Sequence, residues 1–171
     1  MSRPHDYILA VKNLLTAPTH TFENAPAAIP LENIIHRTII HSTEGVVRIL
    51  KTKLFAKFAR RERIADSSLS EAVERAGQGL VDADLGGGLI KQRIARKGQG
   101  RSGGYRMLIA YRFGDFAVFM FGFAKNERDN IDPEELEVLQ TIAGQWLADA
   151  GKIGTDVAAG TLIEVKHDDE N

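Results

Sequence analysis

The spacing of apolar residues changes along the chain, and these changes predict the order of its elements. A β-prone run at residues 46–50 predicts a first strand. Helical spacing follows, at Leu54, Phe55, Phe58 and Ala59. A second helical series has a possible capping box, Ser68 with Glu71, at its start. Its apolar face consists of Leu69, Val73, Ala76 and Leu80.

Three strands are predicted after the second helix, which should end near Gly77 and Gly79. Residues 81–88 end in three glycines and predict a loop. The strand candidates are Leu89–Arg96, 105–112 and Phe116–Ala124. A glycine-rich loop and a Gly114-Asp115 turn join them, so we expect an antiparallel meander.

The last predicted helix has the clearest start signal in the chain. Asp132 is its expected N-cap, Pro133 lies in the first turn, and Glu134 and Glu135 face the positive end of the helix dipole. Its apolar stripe consists of Leu136, Leu139, Ala143, Trp146 and Leu147. A short strand is predicted over residues 161–165, before an acidic end.

The flanking segments divide the chain into three predicted parts. Residues 1–45 carry four of the five prolines and have no clear period, which predicts a weakly ordered extension. An open alternative is upstream in-frame translation, with the functional chain starting near Val46 or Val47. Residues 46–150 form the predicted domain, and residues 151–171 an acidic tail.

Composition narrows the possible classes of protein. With 171 residues, of which 43% are hydrophobic, the chain can close one core of ordinary size. The absence of cysteine excludes disulfides, thiolate nucleophiles and cysteine metal sites. The sequence has neither a membrane-spanning apolar run nor a secretory signal, so we expect a cytoplasmic protein with no membrane partner.

The net charge of -1 conceals a strongly basic middle. Residues 46–128 hold 17 Lys/Arg and 8 Asp/Glu, whereas residues 129–171 hold 2 and 11. A basic segment of this kind is typical of a surface that binds phosphate groups. The acidic end could cover that surface or only keep the chain soluble.

Two local sequences give these elements a family resemblance. They are GQGRSGGYR at residues 98–106 and FAKNERDNI at residues 123–131. Over residues 46–147 the chain resembles toxins of the RelE/ParE superfamily, in particular the RelE and HigB-like branch. The resemblance implies an α+β fold: a twisted antiparallel sheet of about four strands, with two N-terminal helices and one C-terminal helix. It also implies helices on one face of the sheet and a concave basic face open to RNA.

The function implied by this resemblance is that of a type II toxin–antitoxin toxin. Such a toxin is an endoribonuclease that cleaves messenger RNA on the ribosome and so inhibits translation, without a metal or other cofactor. Its expected partners are a cognate antitoxin, messenger RNA and the ribosome. Two alternatives remain open: a ParE-like toxin that inhibits gyrase, and a non-catalytic RNA-binding regulatory module.

The resemblance transfers roles to individual cations. The expected catalytic residues are Lys91, Arg93 and Arg106. Arginine can grip a phosphate through two donors but stays protonated, so Lys91 is the better candidate for the base. The expected RNA-binding residues are Arg96, Lys97, Arg101, Tyr105, Lys125 and Arg128. Asn126 and Asp132 stand where RelE has an arginine and a base-stacking tyrosine, so no general acid is assigned.

Other candidate groups have simpler structural interpretations. The phenylalanines of residues 116–124 favour core packing over a base-stacking platform, with Phe119, Phe121 and Phe123 expected on one face and Phe116 on the other. The four N-terminal histidines lack metal-ligand spacing. The cations of the first helix could form an ordinary exposed face or contact ribosomal RNA; they are Lys57, Arg60, Arg61 and Arg63.

Overall fold

The computed structural model describes residues 47–96, 98, 100–125, 127 and 130–166. The predicted N-terminal extension and residues 167–171 lie outside the described residues. The strands are β1 (Arg48–Thr52), β2 (Ala83–Asp84), β3 (Leu89–Arg96), β4 (Gly100–Arg112), β5 (Phe116–Ala124) and β6 (Leu162–Glu164). The helices are α1 (Lys53–Glu62), α2 (Asp66–Gly77), α3 (Pro133–Ala148) and α4 (Gly151–Ala158).

The described strands form one mixed sheet in the order β2-β3-β4-β5-β1-β6. The predicted meander of β3, β4 and β5 is antiparallel, and the α+β class is confirmed. The expectation of about four strands, all antiparallel, needs correction because β1 runs parallel to β5, with Arg48 opposite Phe116. The two-residue β2 and the edge strand β6 complete a sheet of six strands.

Helices cover both faces of this sheet, which corrects the expectation of helices on one face only. On one face, α1 and α2 bury Phe55 and Leu69 against the sheet. On the other, α3 and α4 bury Leu139, Trp146 and Ile153. Because α3 covers the Leu89 end of β3, the remainder of that face is left for polar side chains.

The helix boundaries follow the local capping chemistry. Thr52 caps α1, since its Oγ1 accepts a hydrogen bond from the backbone nitrogen of Phe55 at 3.1 Å. The capping box predicted at Ser68 is wrong, because α2 already begins at Asp66, and Leu80 lies beyond the end of α2 with 54% exposure. The start of α3 at Pro133 is confirmed, with a capping box between Asp132 and the buried Glu135.

A β-bulge in β5 separates phenylalanines that were predicted to share a face. The pairing steps from Leu108 opposite Phe121 to Ile109 opposite Phe119, so one extra residue of β5 lies between the two pairs. Phe119 packs on Phe55 of α1, with ring centres 5.1 Å apart. Phe121 instead packs with the α3-side core. The bulge therefore places Phe119 and Phe121 on opposite faces of the sheet, although the sequence predicted that they share one.

The chain after α3 packs onto the sheet as far as residue 166. In α4, Asp156 accepts a 2.8 Å hydrogen bond from the indole nitrogen of Trp146. The strand predicted over residues 161–165 is confirmed as β6, which pairs with β1. The described part of the predicted acidic tail, residues 151–166, thus adds a helix and an edge strand to the domain.

Candidate functional site

Three cations lie together where α3 leaves the sheet uncovered. Lys91 and Arg93 are two residues apart on β3, so they share the face of Leu89. Arg106 of β4 is the direct cross-strand partner of Arg93, and Phe123 of β5 is the next residue in the same row. Lys91, Arg93 and Arg106, hereafter the basic cluster, are the three predicted catalytic residues.

The three side chains of the basic cluster differ in their partners. The Nε of Arg93 lies 3.6 Å from Oδ1 of Asp82, and the backbone nitrogen of Arg93 donates to Oδ2 of Asp82 at 2.7 Å. Arg106 donates through Nη1 to the carbonyl of Gly104 at 3.3 Å. Within the described part of the chain, the Lys91 ammonium has no hydrogen-bond or ion-pair partner. Asp82 thus neutralises part of the positive charge of the basic cluster, and the Lys91 ammonium is left without a partner in the described residues.

A buried glutamine positions this end of β3. Gln92 is fully buried, and its amide nitrogen donates to the carbonyls of Ala72 and Leu80 at 3.1 and 3.0 Å. Its amide oxygen accepts from the backbone nitrogen of Asp82 at 3.3 Å, which places the Asp82 carboxylate beside Arg93. Sequence reasoning missed both residues, although a polar residue at an inward position of a strand is itself a signal of a buried hydrogen-bond network.

The close approach of β4 to β3 at this site requires glycine at position 104. A Cβ on Gly104 would lie 2.0 Å from the carbonyl oxygen of Ile94. The pairing of the two strands is irregular between Ile94 and Arg96, so the β3–β4 hairpin continues past a bulge. Gly104 therefore lets the two strands meet two residues before Arg106.

Tyr105, predicted to bind RNA, points to the opposite face from Arg106. Only 4% of its surface is exposed, and its ring meets that of Phe58 edge-on at 5.6 Å. Its hydroxyl donates to Oε2 of Glu62 at 3.0 Å, and the Arg96 guanidinium lies 5.5 Å from its ring centre. Tyr105 supports α1 from within the core, and its ring is not available to stack on a base.

The contact between Tyr105 and Glu62 changes the proton affinity of both groups. Burial, followed by the hydrogen bond to Glu62, raises the pKa of Tyr105. Burial alone would raise the pKa of Glu62, but hydrogen bonds from Arg61 and Tyr105 and nearby positive charge outweigh it, so this pKa is lowered. The pair therefore stays in its hydrogen-bonded form, a neutral phenol and a carboxylate, near neutral pH.

The remaining predicted RNA-binding residues do not all join the basic cluster. Arg101 forms a 2.6 Å ion pair with Glu71 of α2, and Arg96 lies over Tyr105, so both contact residues on the side of the sheet that α1 and α2 cover. Lys125 is exposed in the turn after β5. Lys97 and Arg128 lie outside the described residues. The structure brings Lys91, Arg93 and Arg106 together and places Arg96, Arg101 and Tyr105 elsewhere.

The described residues offer neither a metal site nor a membrane-spanning helix. No group of three or more histidine, aspartate or glutamate side chains with the geometry to hold a metal ion occurs in the described ranges. None of the described helices has the length and apolar character needed to cross a membrane. The cationic chemistry of the basic cluster is the feature on which a function can be argued.

Comparison with known proteins identifies one family. The family described as "RelE toxin of RelE / RelB toxin-antitoxin system" matches residues 47–165. This match covers most of the chain and every described strand and helix, from β1 to β6. No curated protein matches the chain significantly.

Proposed function

Because this chain belongs to the RelE toxin family, we propose that it is the toxin of a type II toxin–antitoxin system and that it cleaves messenger RNA on the ribosome. The reaction is metal-independent and needs no cofactor, as the resemblance implies. The observation that carries the proposal is the row of cations on adjacent strands, with Arg93 opposite Arg106 and Lys91 beside them.

The basic cluster supplies two of the three functions that this cleavage needs. Attack of the 2′-hydroxyl oxygen on the neighbouring phosphorus breaks the bond to the 5′-oxygen of the next nucleotide, so the reaction requires loss of the 2′-hydroxyl proton, stabilisation of the added negative charge and protonation of the departing 5′-oxygen. No residue is assigned to the last function, and in this proposal the departing oxygen takes its proton from solvent. Arg93 and Arg106 are placed to hold the phosphate oxygens through their guanidinium donors. Lys91 can exchange a proton where an arginine cannot, and it has no acidic partner in the described residues, so we assign it as the base.

Asp82 limits how Arg93 can act. The carboxylate engages Nε and the backbone nitrogen of Arg93, which leaves the two terminal guanidinium nitrogens to face a ligand. A guanidinium fixed on one side loses less rotamer freedom when it binds a phosphate. In this proposal Asp82 orients Arg93 and does not contact RNA.

The test is to express the full chain and its variants without antitoxin and to map messenger RNA 5′ ends. Lys91→Ala and Arg106→Ala should each lower the cleavage rate on translating ribosomes by about 10²–10⁴-fold. Arg112→Ala is the matched control, because this exposed arginine lies at the other end of β4 and pairs with Asp115. Full cleavage by both Lys91→Ala and Arg106→Ala would disprove the site assignment.

The same cultures separate the two alternatives. Intact messages with blocked gyrase supercoiling would assign the chain to the ParE-like branch. Retained RNA binding without cleavage would assign a non-catalytic RNA-binding module. Translation-dependent cuts within codons support the nuclease.

Family membership also implies an antitoxin, and the basic cluster suggests how it acts. We propose that an acidic or amphipathic segment of the antitoxin covers Lys91, Arg93 and Arg106. Binding should then weaken with added salt, and Arg106→Ala should reduce that salt dependence in a titration of toxin with antitoxin. An unchanged salt dependence would place the antitoxin elsewhere.

A further inference from the structure

A groove of about 80 Å³ lies between α2 and the outer end of β3. On the helix side, Ser68, Glu71 and Arg75 recur three and four residues apart and so form one stripe of α2. The opposite wall consists of residues 93–95 of β3 with Arg101 of β4. We call it the α2 groove; the resemblance named Arg101 as an RNA-binding residue and Arg93 belongs to the basic cluster, but neither assigns a role to Arg75 or to the groove as a site.

The α2 groove adjoins the basic cluster at Arg93. The strand β2 pairs only with Ile90 and Lys91, so β3 forms the edge of the described sheet beyond them. Arg93 can therefore be reached both from the open face and from the groove that it lines. A ligand that passes over the basic cluster has a direct route around this edge.

The charges of the groove favour an anion. Among the described residues that line it, Arg75, Arg101 and Glu71 contribute charged side chains from the α2 side of the sheet, whereas Arg93 contributes the backbone carbonyl that accepts a hydrogen bond from Arg75. Among the described residues, the Arg75 side chain makes one hydrogen bond, from Nη1 to the carbonyl of Arg93 at 3.5 Å, the long limit for such a bond. Most of the donors of Arg75 are thus free to bind a phosphate in a two-pronged contact.

Glu71 restrains the other arginine only weakly. The Glu71–Arg101 pair spans α2 and β4 at 2.6 Å, with 60% and 53% of the two side chains exposed. Exposed pairs of this kind contribute little to stability, and a phosphate can compete for the arginine. Glu71 therefore reduces the affinity of the groove for anions without closing it.

We propose that the α2 groove binds a second backbone phosphate of the RNA strand whose cleaved phosphate lies on the basic cluster. Arg75 and Arg101 hold this second phosphate, and Arg93 lies between the two sites. The inference rests on the proposed function, because it extends the path of the same RNA. Its role is to fix the position of the strand, with no part in the chemical step.

The experiment measures binding of the full chain to a short single-stranded RNA whose 2′-O-methyl groups prevent cleavage, over a series of salt concentrations. Arg75→Gln should reduce the slope of log affinity against log salt by about 0.7, the value for one lost phosphate contact to a single strand. Glu71→Gln should raise affinity because it releases Arg101. Arg112→Gln is the control and should match the wild-type chain, since it lies outside the groove.

The variants distinguish failure of the groove inference from failure of the proposed function. If the wild-type chain binds this RNA and Arg75→Gln leaves the slope unchanged, the groove inference is wrong while the proposed function stands. If the wild-type chain neither binds this RNA nor cleaves messages on ribosomes, the proposed function itself fails. Glu71→Gln tests the groove by a gain of RNA affinity, so the inference can still be tested if Arg75→Gln fails to fold. Unchanged RNA affinity in Glu71→Gln would contradict the groove inference.

Competition tests the identity of the anion. Inorganic phosphate at millimolar concentration should weaken RNA binding equally in the wild-type and Arg112→Gln chains, and less in Arg75→Gln. Tight binding of inorganic phosphate that depends on Arg75 and leaves RNA affinity unaffected would overturn the assignment to an RNA backbone.

Discussion

Arg93 and Arg106 stand directly opposite each other on β3 and β4, so two guanidinium groups share one small area of the sheet. Like charges at directly opposite positions destabilise an antiparallel pair. Among the described residues, Asp82 offsets this repulsion from the Arg93 side only, through its 3.6 Å contact with Nε. Under the proposed function, this arrangement favours phosphate binding at the expense of stability, as is common at functional sites.

Removing one of these charges should therefore stabilise the fold. Arg106→Thr keeps a strand-favouring residue and should raise the free energy of unfolding by about 0.2–1 kcal/mol, measured by urea denaturation, while cleavage is lost. Arg112→Thr is the control; it removes the contact with Asp115 and should give no gain. A less stable Arg106→Thr would show that repulsion across the strands is not significant.

The buried amide of Gln92 should be costly to remove. Gln92→Leu keeps a similar volume but leaves the carbonyls of Ala72 and Leu80 without this donor, so the free energy of unfolding should fall by about 1–3 kcal/mol. Gln145→Leu, at an exposed position of α3, should change it by less than about 0.5 kcal/mol. Equal effects would mean that the network around Gln92 does not contribute to stability.

The Glu62–Tyr105 pair should make stability depend on pH at both extremes. The pKa of Glu62 is lowered in the folded state, so its contribution is complete above its ordinary value of 4.5 and is lost as pH falls through the lowered pKa. The pKa of Tyr105 is raised, so its contribution is complete below its ordinary value of 10.0 and is lost as pH rises through the raised pKa.

Tyr105→Phe should remove the contribution of Tyr105 to the loss of stability at alkaline pH. It should weaken the contribution of Glu62 at acid pH without abolishing it, because Glu62 keeps its contact with Arg61. The measurement is urea unfolding at a series of pH values. Tyr111→Phe is the control for the acid limb: burial raises the pKa of Tyr111, but its phenol has no carboxylate partner in the described residues, so its loss should change the alkaline limb alone. Identical acid limbs in Tyr105→Phe and the wild-type chain would contradict the assignment.

Arg63 ends α1 in the left-handed region, with φ of 54°, and it is the only described residue other than glycine with a positive φ. An L-residue there costs roughly 1–2 kcal/mol, and glycine avoids the steric part of that cost. Arg63→Gly should raise the free energy of unfolding by about 1 kcal/mol in thermal or urea denaturation. Arg60→Gly, inside α1, should lower it by a similar amount.

Local sequence patterns were sufficient to predict those elements whose signals lie within a few residues of one another. The bounds of β3 and β5 and the start of α3 at Pro133 match the structure because alternation and capping are short-range effects. The parallel pairing of β1 with β5 could not be predicted in this way, since it depends on contacts between distant segments. The bulge beside Phe121 likewise arises from pairing with β4.

The alternation of side chains along a strand was sufficient to predict part of the candidate site. Lys91 and Arg93 share a face because they are two residues apart, and the same rule puts Tyr105 opposite Arg106. That signal was present in the sequence, yet the motif led us to group Tyr105 with the cations. The roles of Asp82, Gln92 and Arg75 depend on contacts across loops and helices, which spacing does not encode.

The pairing of β1 with β6 joins segments made at very different times during synthesis. Arg48 and Glu164, at the two strands, are 116 residues apart in the chain. At synthesis rates of about 5–20 residues per second, β1 waits on the order of 6–23 s for this neighbour. A growing chain in which residues 162–164 have not yet been made lacks the edge strand β6, so this sheet can be completed only late in translation.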